Sequence, residues 1–210
     1  MKRLVKIILS VLFVGMAAIG CSKEGNETIV FLGYENYIPE IEDIVPDSLL
    51  KVYRDSIGDF TRGNIPPNIE GTFVISPKKR VLSSNLFSWP LEVVEPDLRL
   101  TFSEQHNGVA ILDFSEATDT HTDTVFIMGH NQDFTVYFNE IKPFDYEGYH
   151  VEITRAIMMT GTVDSLGIRN LNYADIILDI FDGSNGLIEQ YPVGQYFIYK
   201  DGDGFSNRVP

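Results

Sequence analysis

From Gly71 onward the chain alternates apolar and polar residues with period two. Leu98, Leu100 and Phe102 are interleaved with Arg99, Thr101 and Ser103. The same rhythm returns in Phe134, Val136 and Phe138, in Tyr149, Val151 and Ile153, and in Ile176, Leu178 and Ile180. Successive side chains of a strand point to opposite faces, so each run predicts a strand with one buried face. With Thr72–Ser76, Val109–Phe114, Thr124–Met128 and Gln195–Lys200, about eight strands are expected. Asn107-Gly108 marks a tight hairpin, because both residues adopt positive φ readily. Few intervening segments could hold a crossover helix, so the expected fold is an all-β, mainly antiparallel meander. Eight such strands fit either a closed up-and-down barrel or a two-sheet sandwich, and the pattern does not choose between them. If Ile176, Leu178 and Ile180 fill the interior, Asp175 and Asp179 point to solvent.

Before Gly71 the period changes. Leu49, Leu50, Tyr53 and Ile57 recur at helical spacing after Pro46, with Asp47 or Ser48 as the expected cap and Gly58 at the C-terminal left-handed position. One short helix, covering an end of the sheet, is the expectation. Between strands, Leu86–Pro96 reads as a long loop, and its Phe87 and Trp89 are the candidate partner-binding residues.

The N-terminus is patterned differently again. Lys2, Arg3 and Lys6 precede an uncharged, mostly apolar run from Ile7 to Gly20. That run has the length of a signal-peptide core and falls short of the ~18 residues read as a membrane-spanning helix. It ends in Ala17-Ala18-Ile19-Gly20-Cys21, which resembles the lipobox of bacterial lipoproteins, with Ala18 where Leu is usual. The resemblance implies cleavage before Cys21 and acylation of its thiol. Cys21 is the only cysteine, so the mature chain would hold neither a free thiol nor a disulfide. Two or more acyl chains anchor firmly where one binds reversibly. Residues 1–20 are thus expected to be a signal peptide, 21–45 a tether, and 46–210 a single β-rich domain. Ser22 after the cysteine favours the outer membrane, with the periplasmic and surface faces both open.

Charge narrows the partners. Residues 1–20 carry three basic and no acidic residues, so their removal takes the net charge from −14 to −17. Such a surface disfavours nucleic acid and anionic lipid, and tolerates cationic ligands and divalent metals.

Several blocks carry a further resemblance. Ile69-Glu70-Gly71-Thr72-Phe73-Val74-Ile75-Ser76-Pro77, Gly161-Thr162-Val163, Gly167 through Ala174, and Gly194 through Ser206 are similar to small uncharacterised lipoproteins of gut-type Gram-negative anaerobes. That implies an address and a fold, and no catalytic residue. A looser resemblance is to lipocalins, whose barrels open with Gly-x-Trp; here Gly71-Thr72-Phe73 stands in that place. It implies a cup for a small apolar ligand.

Reaction chemistry is sparse. The chain has no Gly-x-Ser-x-Gly elbow, phosphate loop, His-Glu-x-x-His or Cys-x-x-Cys. His106, His121, His130 and His150 show no zinc-site spacing and read as solvated turn or outward-facing residues. Asp201-Gly202-Asp203-Gly204 places alternate carboxylates as calcium loops do, making Asp201 and Asp203 the metal candidates and Ca2+ the only cofactor considered; no other cofactor is expected. The function expected is therefore non-enzymatic: a membrane-anchored lipoprotein holding a small apolar ligand among Leu100, Phe102, Phe134, Val136, Phe138, Val151 and Ile153. The alternatives are a cell-surface module contacting a protein or glycan, and a hydrolase on a β scaffold.

Overall fold

In the computed structural model the described residues are 38–84, 93–117, 119–146, 149–182 and 192–209. Among these residues eleven strands form one antiparallel sheet. They are β1 (Gly71–Ile75), β2 (Lys78–Ser83), β3 (Val94–Glu95), β4 (Leu98–His106), β5 (Val109–Glu116) and β6 (Asp119–His130). After them come β7 (Asp133–Tyr146), β8 (Tyr149–Val163), β9 (Gly167–Asp182), β10 (Tyr196–Asp201) and β11 (Phe205–Val209). The order β1-β4-β5-β6-β7-β8-β9 is a meander. It closes because β11 pairs with β1 (Phe73 opposite Arg208) and with β9 (Ser206 opposite Ile168). The ring has eight members, and closure leaves none of them with an open edge. The strand expected over Gln195–Lys200 is β10, outside the ring, and β11 takes the eighth place. Strands β10, β2 and β3 continue the sheet beyond it, β10 pairing with the later part of β9 (Tyr199 opposite Tyr173). In effect β1 and β2 are one interrupted strand running beside β11 and β10.

Two tight features set the register. Asn107 and Gly108 turn β4 into β5 with φ of 49° and 78°. Gly161 lets β8 approach its neighbours in the core: a Cβ there would meet Ile168 Cγ2 at 2.6 Å.

The ring interior is packed with Phe73, Leu100, Phe102, Leu112, Phe134, Val136, Phe138, Ile157, Met159 and Tyr173 among others. Each fully buried aliphatic or aromatic side chain contributes roughly 1.5–3 kcal/mol.

The other face of the same strands is also covered. Helix α1 (Ile41–Ile44) and helix α2 (Asp47–Ser56) bury Ile41, Val45, Leu49, Leu50 and Tyr53. Their partners are Tyr137, Ala156, Met158, Ala174, Ile176 and Ile198, which alternate with the interior residues of β7, β8, β9 and β10. The helical residues thus lie on the outside of the ring, where an end plug is the sequence expectation. Two details differ further, and one agrees. Pro46 occupies the N-cap position, and neither Asp47 nor Ser48 caps by side chain. Helix α1 falls inside the expected 21–45 tether yet is packed into the domain. Gly58 follows α2 with φ of 124°, in the positive-φ conformation anticipated.

Tyr53 is anchored by a 2.5 Å hydrogen bond between its hydroxyl and Thr160 Oγ1, and the Tyr137 hydroxyl donates to Pro39 O at 2.7 Å. Burial pushes both phenols up to about 12. Above pH ~10 the unfolded chain loses these protons while the folded chain keeps them, so stability falls as pH rises, by up to about 1.4 kcal/mol per unit for each phenol. Urea unfolding between pH 9 and 12 should show that decline, less steep in Tyr53→Phe, which is also expected to cost about 1 kcal/mol at neutral pH. Leu50→Ala should cost about 2–5 kcal/mol in the same assay, because its side chain is completely buried between helix and ring.

Candidate functional site

At one end of the ring the interior changes from apolar to ionic. The change is built from cross-strand neighbours. Phe134, Val136 and Phe138 point inward from β7, and the next inward position is Glu140. Opposite Glu140 on β8 stands Arg155. Its Nε donates to Glu140 Oε2 at 2.6 Å, its Nη2 donates to the same oxygen, and its Nη1 lies 3.7 Å from Asp175 Oδ2. On β6, Val125 and Ile127 face the core, and the same alternation carries Asp123 and His121 inward. His121 is opposite Phe114 of β5 and stacks on it, with ring centroids 4.7 Å apart.

The far wall comes from β2 and β10. Lys78 and Arg80 are buried, Lys78 paired with Glu116 and Arg80 with Glu95. The Lys78 ammonium lies over the Tyr199 ring at 4.7 Å, and Tyr199 in turn contacts Tyr173. The ion pairs around this end of the barrel therefore join five carboxylates (Glu95, Glu116, Asp123, Glu140, Asp175) with three permanent cations (Lys78, Arg80, Arg155), and the more exposed Asp119–Lys142 pair lies beside His121.

The titration of these groups reflects that crowding. Burial raises Asp175 despite the nearby Arg155 charge, and raises Asp123, with the His121 charge opposing and Glu140 adding to the rise. Burial would also raise Glu140, but the close His121 ring and the Arg155 charge outweigh it and hold the carboxyl below its usual range. His121 is held above its ordinary value by Glu140, against burial.

Three atoms of this cluster face one another without an aligned hydrogen bond: His121 Nε2, Asp123 Oδ2 and Glu140 Oε1. His121 Nε2 lies 2.5 Å from Glu140 Oε1 and 3.4 Å from Asp123 Oδ2. Among the described residues this is the one group of three or more His, Asp or Glu whose ligand atoms converge, all within 4.8 Å of one another. Its chemistry is that of a cation acceptor: two carboxylates and an imidazole nitrogen, with Glu140 only 1 % exposed.

The residues singled out from sequence are distributed differently. Leu100, Phe102, Phe134, Val136 and Phe138 are buried together in the ring core. Val151 and Ile153 belong to a separate small cluster with Ile177. Asp201 and Asp203 close the turn between β10 and β11: Asp201 Oδ2 accepts from Ser206 Oγ at 2.6 Å and Asp203 Oδ1 from Phe205 N at 2.9 Å. Cys21, Phe87 and Trp89 lie outside the described residues.

Two expectations are overturned. His121 is an inward residue of β6, not a solvated one. Asp175 points into the ring, 2 % exposed, while Ile176 faces outward beneath the helices; only Asp179 is exposed. The cause is that β9 is apolar on both faces, so its polarity pattern did not reveal which face is inside. A register shift at Thr154/Arg155 also changes the pairing between Ile177 and Asp179. The signal for Glu140 was present: a charged residue on the inward parity of a strand.

Removing the Arg155 charge leaves two buried carboxylates without it. Arg155→Met should cost about 3–5 kcal/mol in chemical unfolding, and the double variant Glu140→Gln/Arg155→Met should recover much of that loss.

No helix among the described residues is long and apolar enough to cross a membrane. No protein-family model, curated protein or solved structure matches the chain.

Proposed function

We propose that the protein is a membrane-tethered, non-enzymatic binding barrel that takes up a small cation-bearing ligand at its ionic end. The observation that carries this reading is the acid-rich cluster inside the ring. Burying so many charges is a weak way to stabilise a fold, since packed apolar residues of the same volume do as well or better. A lumen that only had to be filled could continue the Phe and Val pattern of β7 past Phe138. Glu140, Asp123 and Asp175 interrupt the apolar filling together, with Phe114, Tyr173 and Tyr199 beside them. Carboxylates with aromatic faces suit a positive group. In this reading Leu100, Phe102, Phe134, Val136 and Phe138 form the floor on which the site rests.

The tether rests on the lipobox-like sequence at Cys21. With the lipid in place the barrel stays at the envelope, the outer membrane being the favoured layer. Cys21→Ala should move the protein from the membrane fraction to the soluble fraction on cell fractionation; retention in the membrane would remove the lipid-anchor part of the reading.

The binding part is tested by thermal unfolding of the full chain in detergent with spermidine, choline, Zn2+ and, as an apolar contrast, palmitate. At least one cation should raise the midpoint, and Asp123→Asn should abolish the rise. Stabilisation by palmitate alone would favour the apolar cup, and no response to any cation would end the cationic reading.

A further inference from the structure

The atoms at the ionic end narrow the kind of cation. We infer that His121, Asp123 and Glu140 form a binding site for a single small divalent transition-metal ion of the Zn2+ type, an inference that rests on the cationic reading.

The spacing separates a metal ion from an organic ammonium. An ammonium held by hydrogen bonds of about 2.8 Å needs acceptors roughly 4.5 Å apart. Donors bound to a metal at about 2.0–2.2 Å are spaced near 3.4 Å in a tetrahedral arrangement. His121 Nε2 and Asp123 Oδ2 are 3.4 Å apart, and His121 Nε2 and Glu140 Oε1 are closer, at 2.5 Å. The 3.4 Å separation matches donors on one metal ion, while 2.5 Å is direct imidazole–carboxylate contact, which a bound ion would open toward that spacing.

The donor set agrees. One imidazole nitrogen with two carboxylate oxygens suits borderline ions such as Zn2+, whereas Ca2+ and Mg2+ prefer oxygen ligands throughout. The ligands are also held from behind. Arg155 takes up Glu140 Oε2 with two hydrogen bonds, leaving Oε1 turned toward His121. Phe114 stacks on the His121 ring and sets its plane. Such outer contacts orient metal ligands and tune their affinity.

Burial points the same way. Glu140 is 1 % exposed, and its Oε1 is buried without a hydrogen-bond donor, aimed at the other two atoms. Its nearest neighbour is the His121 ring at 2.5 Å, and Asp123 Oδ2 is likewise buried without an aligned donor, so the three atoms converge on one point. With three protein ligands, one or more coordination positions stay open for water or a ligand donor group, as in zinc sites that exchange ligands. The metal would then be the cation that meets an incoming anionic or lone-pair donor.

The experiment is calorimetric titration of the full chain, purified in detergent and stripped with chelator, using Zn2+ alone. One ion per chain is expected, with affinity weakened about tenfold or more in His121→Gln and in Asp123→Asn. Circular dichroism on both variants verifies that they fold. X-ray absorption at the zinc edge should show one imidazole in a shell of otherwise oxygen ligands. His150→Gln serves as the contrast, because His150 is an exposed histidine with Asp145 and Glu152 nearby, and it should leave binding unchanged.

No saturable Zn2+ binding, binding unaffected by both site variants, or binding lost in His150→Gln would each overturn the site. If Zn2+ fails while spermidine or choline still stabilises in an Asp123-dependent way, the metal inference falls and the cationic barrel stands. If every cation fails, both fall.

Discussion

Strand β11 is five residues long, yet it pairs with β1 on one side and β9 on the other. That double pairing turns a meander into a ring, and the rest of the structure depends on it. Without it β1 and β9 would each present unpaired backbone groups, and the interior residues of eight strands would line an open, twisted sheet. With it, Phe73 and Leu100 on one side of the closure meet Ile168 and Tyr173 on the other in a single core. Beyond β9 the sheet continues through β10 to β2, which brings Lys78, Arg80 and Tyr199 to the same end as the β6–β8 charges.

The ionic end follows from strand parity inside that ring. A strand cannot present Phe138 to the interior without presenting Glu140 to it as well, unless a bulge intervenes, and β7 runs in unbroken register against β8 from Asp133 to Tyr146. Cross-strand pairing then supplies Arg155 opposite Glu140 and Phe114 opposite His121. The charges are held by backbone register rather than by loops, which is the condition for a preorganised site.

Much of this architecture was legible in the sequence. The alternation at Leu98–Ser103 and Phe134–Phe138 marks strands at the right places with the right faces inward, and Asn107-Gly108 marks the hairpin. The short strands β2, β3 and β11 were not legible: Lys78-Lys79-Arg80 and Asn207-Arg208 look like solvent-facing segments, and only their partners on β9, β10 and β1 make them strands. The site was missed for a related reason. His121, Asp123, Glu140 and Arg155 are spread over three strands with no local spacing, and they converge only once β6, β7 and β8 are aligned. Asp175 was misplaced because the helices make the outer face of β9 as apolar as its inner face, and period two cannot rank two apolar faces.

The closed ring holds the core and the ionic end together, and native-state hydrogen exchange of backbone amides by NMR tests it most directly. If β11 seals the ring, the ladder amides of Phe205–Val209 and of Gly71–Ile75 should open only with the whole domain, within about 1 kcal/mol of those in Ile157–Met159 at the centre of β8. Fast exchange in β11 and β1, with β7, β8 and β9 still protected, would mean an open sheet, and the convergence of charges at its end would lose its basis.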